Sequence, residues 1–199
     1  FFPDVGGSYF LTKIIRNVGL YLGLTGQVMN FEEVVFFDLA THYFNSEKIE
    51  KVISKYINDN TIIKSENINN FSSEIIDNLN YIEDTFHGDI ISIFERLKKS
   101  SHEFGKKNFN HLLNRCPMSL AITSELLHRA KKLSLKECLE MEYQLSQYMV
   151  YRDDFNNGVD SVLVSKTHKS KWNPVSIYDI TNNDIDNFFT EHTEPLNLK

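Results

Sequence analysis

Asp4 is the residue in this chain whose setting most invites chemistry. It lies in Phe1-Phe2-Pro3-Asp4-Val5-Gly6-Gly7-Ser8, between a proline that fixes its own φ and two glycines that allow left-handed or closely approaching backbone. A carboxylate at such a junction can cap a turn or act as a general base or water-orienting group. Flanking Phe1, Phe2 and Val5 would raise its pKa if they buried it. The residues alone leave the two roles open.

The other reactive side chains form weaker patterns. The seven histidines, His42, His87, His102, His111, His128, His168 and His192, show no HExxH spacing and no pairing with cysteines, so no metal site is expected. GxGxxG, P-loop and GxSxG motifs are absent, which removes the usual signatures of dinucleotide, nucleotide and serine-hydrolase sites. The acid pairs Glu32-Glu33 and Asp153-Asp154 read as helix-start charges. Cys116 and Cys138 have no disulfide framework around them and suit a reducing compartment, where the acceptor-like triplet Asn70-Phe71-Ser72 would carry no glycan. Cys116 precedes Pro117 at an expected helix start and reads as a packed or capping residue.

These residues must be held by helices. An opening helix is expected near 7–15, then Asn17 as the N-cap of 18–25 with Gly26 at its C-terminal end. Asn30 with Glu33 has capping-box spacing and introduces 31–39. The run Ala40-Thr41-His42-Tyr43-Phe44 reads as one short strand. Ser46 starts a helix in which Ile49, Val52, Ile53 and Tyr56 recur on one face, expected to be buried. From 58 to 73 the apolar pattern dissolves into Asn, Asp, Ser and Lys, as in an exposed linker. Beyond it, Ile90, Phe94 and Leu97 mark one helix, and Phe109, Leu112 and Leu113 mark another. Pro117 opens a third, which carries Leu120, Ile122, Leu126 and Leu127. Ser134 with Glu137 caps a long helix containing Met141, Tyr143, Leu145 and Tyr148, Asp154 could cap one reaching about 164, and Thr181 with Asp184 opens the last.

The 199 residues, 41% hydrophobic, are enough for one packed domain. The net charge of −6, with Lys and Arg dispersed among acids, argues against direct nucleic-acid binding. No apolar run approaches the roughly 18 residues of a membrane span, so no membrane association is expected. One strand among eight or nine helices is a lopsided inventory, and the site-like opening reads as the connection leaving a sheet in a longer chain.

Five blocks then fall in one order: Phe2-Pro3-Asp4-Val5-Gly6-Gly7; Leu22-Gly23-Leu24-Thr25-Gly26; Leu39-Ala40-Thr41-His42-Tyr43; Met141-Glu142-Tyr143-Gln144-Leu145-Ser146-Gln147; and Asp154-Phe155 through Gly158-Val159 to Lys171-Trp172. Together they resemble the 3-hydroxyisobutyryl-CoA hydrolase family of the crotonase (enoyl-CoA hydratase/isomerase) superfamily, across nearly the whole chain. The resemblance implies the mainly α, C-terminal helical half of a crotonase-like α/β fold (a ββα spiral), with at most one or two short strands. It divides the chain into 1–57, the end of the spiral core with the site turn; 58–73, the linker; and 74–199, a helical region.

The resemblance further implies hydrolysis of 3-hydroxyisobutyryl-CoA in valine breakdown, in mitochondria, with no cofactor beyond the CoA of the substrate. Asp4 is then the catalytic carboxylate, Gly6 and Gly7 line the substrate site, and Lys166 contacts CoA. A catalytic Glu and the oxyanion N–H donors belong to an N-terminal half, so the chain by itself should be inactive. Homo-oligomerisation is left open. Asp38, Gln144, Asn157 and Asp160 depart from the family pattern, in which a Gly, an Arg, a Glu and an Arg are common, and the last change reverses a charge close to Lys166. Two other readings stand beside this one: a hydratase or isomerase of the same superfamily, and a non-catalytic relative such as a mitochondrial ribosomal small-subunit protein.

Overall fold

A computed structural model describes residues 1–61, 64–65, 71–190, 193–196 and 198. Part of the expected linker, Asn70 of the acceptor triplet and His192 lie outside the described residues. In chain order the helices are α1 (Gly7–Leu11), α2 (Val18–Thr25), α3 (Phe31–Phe36), α4 (Ile49–Asp59), α5 (Glu74–Asp77) and α6 (Leu79–Thr85). They continue as α7 (Ile90–Lys99), α8 (Glu103–Leu113), α9 (Pro117–Ala130), α10 (Leu135–Met149), α11 (Asp153–Val159) and α12 (Asn182–Phe188). Two compact units result, Val28–Asn78 and a larger one made of Phe1–Gln27 with Leu79–Lys199. No helix is long and apolar enough to cross a membrane among the described residues.

The larger unit is built around α9. Pro117 occupies its first turn, where a missing N–H costs nothing, and nearly every residue from there to Ala130 is buried. Its small polar residues Ser119, Thr123 and Ser124 are buried along with the apolar ones, and α9 packs against α1, α2, α7 and α12. One cluster joins Phe2, Cys116, Met118, Ile122 and Leu126 to Leu145 and Met149 of α10 and Phe188 of α12. Ile90, Phe94 and Leu97 of α7 are buried at the expected spacing, as is Leu112 of α8, whereas Leu113 faces outward. The boxes at Ser134/Glu137 and Thr181/Asp184 form as the spacing predicts.

The opening of this unit differs from expectation in two places. Helix α1 stops at Leu11, and turns carry the chain to Arg16 and Asn17, both at positive φ. Asn17 still precedes α2, but its side-chain amide donates to the Glu83 carbonyl rather than capping. The tight reversal lets α2 press on α1: a Cβ added at Gly19 would lie 1.8 Å from the Leu11 carbonyl oxygen. Further on, Arg152 is the N-cap residue of α11 and Asp154 lies buried inside its first turn. Asp154 is occupied elsewhere, accepting from Arg152 and from the Asn173 N–H at 2.7 Å, and so ties α11 to the segment carrying Trp172. The helix ends at Val159 and passes into a π-helical turn, Asp160–Val164.

In the smaller unit Asn30 and Glu33 form their capping box, but α3 ends at Phe36. Asp38, where the resembled family has glycine, takes φ 53, a left-handed conformation that terminates the helix. Residues 40–44 are not a strand, and among the described residues no strand is present. A strand needs a ladder of backbone partners. The Tyr43 N–H instead donates to the Ser65 hydroxyl, which donates back to the Tyr43 carbonyl. The next helix begins at Ser46 as read, with a 3₁₀ turn, Ser46–Lys48, capped by the Asn45 side-chain oxygen. Its continuation, α4, is amphipathic as read, yet none of its residues is buried, and Ile49, Ile53 and Tyr56 are about half exposed. Periodicity identified the apolar face but not whether anything covers it.

Candidate functional site

Asp4 opens a tight turn. The Gly7 N–H donates to the Asp4 carbonyl at 2.8 Å, and the two residues between them, Val5 (φ 57) and Gly6 (φ 84, ψ 5), are both left-handed. Glycine occupies that region freely, whereas a β-branched residue there costs of order 1–3 kcal/mol and persists only when its surroundings impose it. Phe2 supplies one anchor, 5% exposed in the core cluster below α9. The Asp4 carboxylate projects at the surface, and Phe1 and Val5 are exposed as well. Of the three residues expected to shelter it, Phe1, Phe2 and Val5, only Phe2 is buried, and it packs in the core cluster. Among the described residues Asp4 makes no side-chain hydrogen bond or ion pair, so its oxygens are free to meet a substrate or a water.

The second anchor lies 134 to 136 residues away. Glu142, on α10, is 3% exposed; it accepts from the Gly6 N–H at 2.6 Å, from the Ser8 N–H at 2.9 Å and from the Ser8 hydroxyl. One buried carboxylate thus satisfies N–H groups at the start of α1 that have no partner within the helix. Leu135, at the start of α10, packs over the same turn, since a Cβ on Gly6 would lie 3.3 Å from its Cδ1. Gly7 is held just as closely, with its added Cβ 3.2 Å from the Pro3 Cβ. Gly6 and Gly7 therefore take part in the same tight turn as Asp4. Nearby, burial pushes the Cys138 thiol above its ordinary pKa, and the charge of Glu142 adds to that shift.

Lys166 is exposed and left-handed (φ 53) just after the π-helical turn. The reversal there is closed by the Ser165 N–H on the Asp160 carbonyl (2.7 Å) and the His168 N–H on the Ser161 carbonyl (2.9 Å). No hydrogen bond or ion pair joins Lys166 to Asp4 or to Asp160 among the described residues. Beside Phe1 lies a cavity of about 410 Å³, lined by Arg115, Ser119, Ser161, His168 and Trp172 among others, with no carboxylate in its wall. Among the described residues no cluster of His, Cys, Asp and Glu could hold a metal ion.

Reading the sequence singled out Asp4, Gly6, Gly7 and Lys166 but missed Glu142 and the cavity. Two signals pointed to Glu142: its place in the Met141–Gln147 block, and a carboxylate set among the apolar positions Met141 and Leu145 of a helix.

The model of the family described as enoyl-CoA hydratase/isomerase matches residues 1–189. A mitochondrial 3-hydroxyisobutyryl-CoA hydrolase of Dictyostelium discoideum is 35% identical over 100% of this chain and 56% of its own length. The small ribosomal subunit protein mS47 of Arabidopsis thaliana is 30% identical over 98% of this chain and 52% of its own. The crystal structure of an enoyl-CoA hydratase from Rhodobacter sphaeroides superimposes with a TM-score of 0.88 at 20% identity, over 96% of this chain and 56% of that one. At that identity the likeness is one of fold. The chain spans about half the length of the curated relatives it matches.

Proposed function

The chain belongs to the enoyl-CoA hydratase/isomerase family, and we propose that it is the C-terminal half of an acyl-CoA thioester hydrolase, which releases CoA from 3-hydroxyisobutyryl-CoA in mitochondria. The observation that carries this reading is Asp4, an acid with unoccupied oxygens at the first position of a strained turn, in a chain similar to hydrolases so named. In hydratase and isomerase relatives that position is often glycine, so the acid favours hydrolysis over addition of water to a double bond.

The chemistry asks little more of this half. Water adds to the thioester carbonyl, the oxyanion collapses, and the CoA thiolate departs with little acid assistance because its thiol has a pKa of about 8.5. A glutamate from the N-terminal half attacks or activates water in this scheme. Asp4 orients the water, the substrate hydroxyl or that glutamate. Gly6 and Gly7 keep the turn close to the substrate, and Lys166 reaches the CoA. The isolated half, without the oxyanion donors, is inactive.

The test is CoA release from 3-hydroxyisobutyryl-CoA by the full-length protein, followed with a thiol reagent, beside Asp4→Asn. Turnover that falls at least tenfold in the mutant is expected. No turnover by the parent overturns the assignment, and an unaffected mutant overturns the role of Asp4. A second reading, a structural protein without activity, is favoured by the similarity to a ribosomal protein and by Asn157 and Asp160, which replace a Glu and an Arg common in the family. It requires loss of the upstream glutamate from the full-length sequence.

A further inference from the structure

We propose that Glu142 is a positioning residue of the hydrolase, acting on the reaction by holding the Asp4 turn in its left-handed form; the proposal rests on the hydrolase reading above. Three observations converge on it. Val5 and Gly6 are both left-handed, a conformation that a valine does not hold unaided. The flanking donors, Gly6 N–H, Ser8 N–H and Ser8 O–H, all end on the two oxygens of Glu142. Glu142 itself is buried and, among the described residues, has no cation bonded to it, so its hydrogen-bonding capacity is spent on this turn. A carboxylate is required because all three partners are donors. In a glutamine one of the two positions would present N–H₂ to another donor, leaving it unpaired.

Asp4 is three residues before Gly7 and shares the turn's closing hydrogen bond, so release of Gly6 swings its carboxylate. Displacement of about 1 Å at a group that orients a reactant lowers turnover steeply. Binding of CoA, which in this reading is handled by Lys166 and the other half, changes little. Glu142 touches no substrate and works through Asp4.

The experiment uses the full-length protein with Glu142→Gln, Ser8→Ala, Asp4→Asn and the Asp4→Asn/Glu142→Gln double variant. Two quantities are measured: amide hydrogen exchange of a peptide spanning residues 4–11, and kcat and KM for 3-hydroxyisobutyryl-CoA. In Glu142→Gln, exchange quickens about 10- to 100-fold, the range for losing a hydrogen bond to a charged group. Its kcat falls by a similar factor while KM moves less than about threefold. Ser8→Ala, which removes one of the three donors, shows the same pattern more weakly. The double variant loses no more kcat than Asp4→Asn alone, because the two residues act as one unit. Unchanged exchange, unchanged kcat or losses that multiply each overturn the proposal. An inactive parent, or one indifferent to Asp4→Asn, overturns the hydrolase reading and the catalytic part of the proposal with it; the exchange measurement then decides separately whether Glu142 holds the turn.

Discussion

Replacing Glu142 with leucine separates what the carboxylate does for stability from what it does for the turn. Leucine is close in volume and apolar, so the cavity term is small and burial returns about 1–2 kcal/mol. Against that, the Ser8 N–H and O–H are left without a partner at a residue with no exposed surface, at about 1–3 kcal/mol each. The Gly6 N–H, in a part-buried bond, recovers some hydration. At the middle of these ranges the net loss is about 2–3 kcal/mol. Adding Ser8→Ala removes one orphaned donor and should restore about 1 kcal/mol, so the two changes together cost less than their sum. The assay is urea unfolding of the full-length protein, comparing midpoints at constant m-value. A loss below about 1 kcal/mol, or no recovery on adding Ser8→Ala, would refute the claim that Glu142 satisfies these donors.

Gly19→Ala should cost at least about 3 kcal/mol or abolish soluble expression, because its Cβ would lie 1.8 Å from the Leu11 carbonyl and only separation of α1 from α2 relieves that; the same unfolding assay reads it. Stability should also fall on acidification. The hydrogen bond from the Ser92 side chain holds the Asp89 carboxyl below its ordinary pKa, and bonds from Ser134 and Thr181 do the same for Glu137 and Asp184. A lowered folded-state pKa means a contribution fully present above the ordinary carboxyl range and lost as pH drops through the folded value. Unfolding midpoints should therefore decline below about pH 4, and less so in Asp89→Asn.

Much of the helical frame was legible because the signals that start and stop helices are local. Asn30/Glu33, Ser134/Glu137 and Thr181/Asp184 each form the box their spacing implies, Pro117 begins α9, and Gly26 ends α2. The structure departs from the local signals where a side chain is claimed by a partner distant in sequence. Asn17 was drawn to Glu83, Asp154 to Asn173, and residues 40–44, with Ser65 against Tyr43, never found a neighbouring strand. The amphipathic face of α4 shows the same limit from the other side, since its pattern was right and its burial was not.

Residue order alone makes this a helical chain of the enoyl-CoA hydratase/isomerase family and sets Asp4 and two glycines at one junction. Those properties reside in residue types and short spacings, which propensity, capping and motif order express without tertiary contact. How the junction is held emerges in three dimensions: Val5 and Gly6 in the left-handed region, Asp4 at the surface, and Glu142 beneath them. The physical reason is that a buried carboxylate must find donors wherever the fold brings them, and here the fold brings them across more than 130 residues of chain.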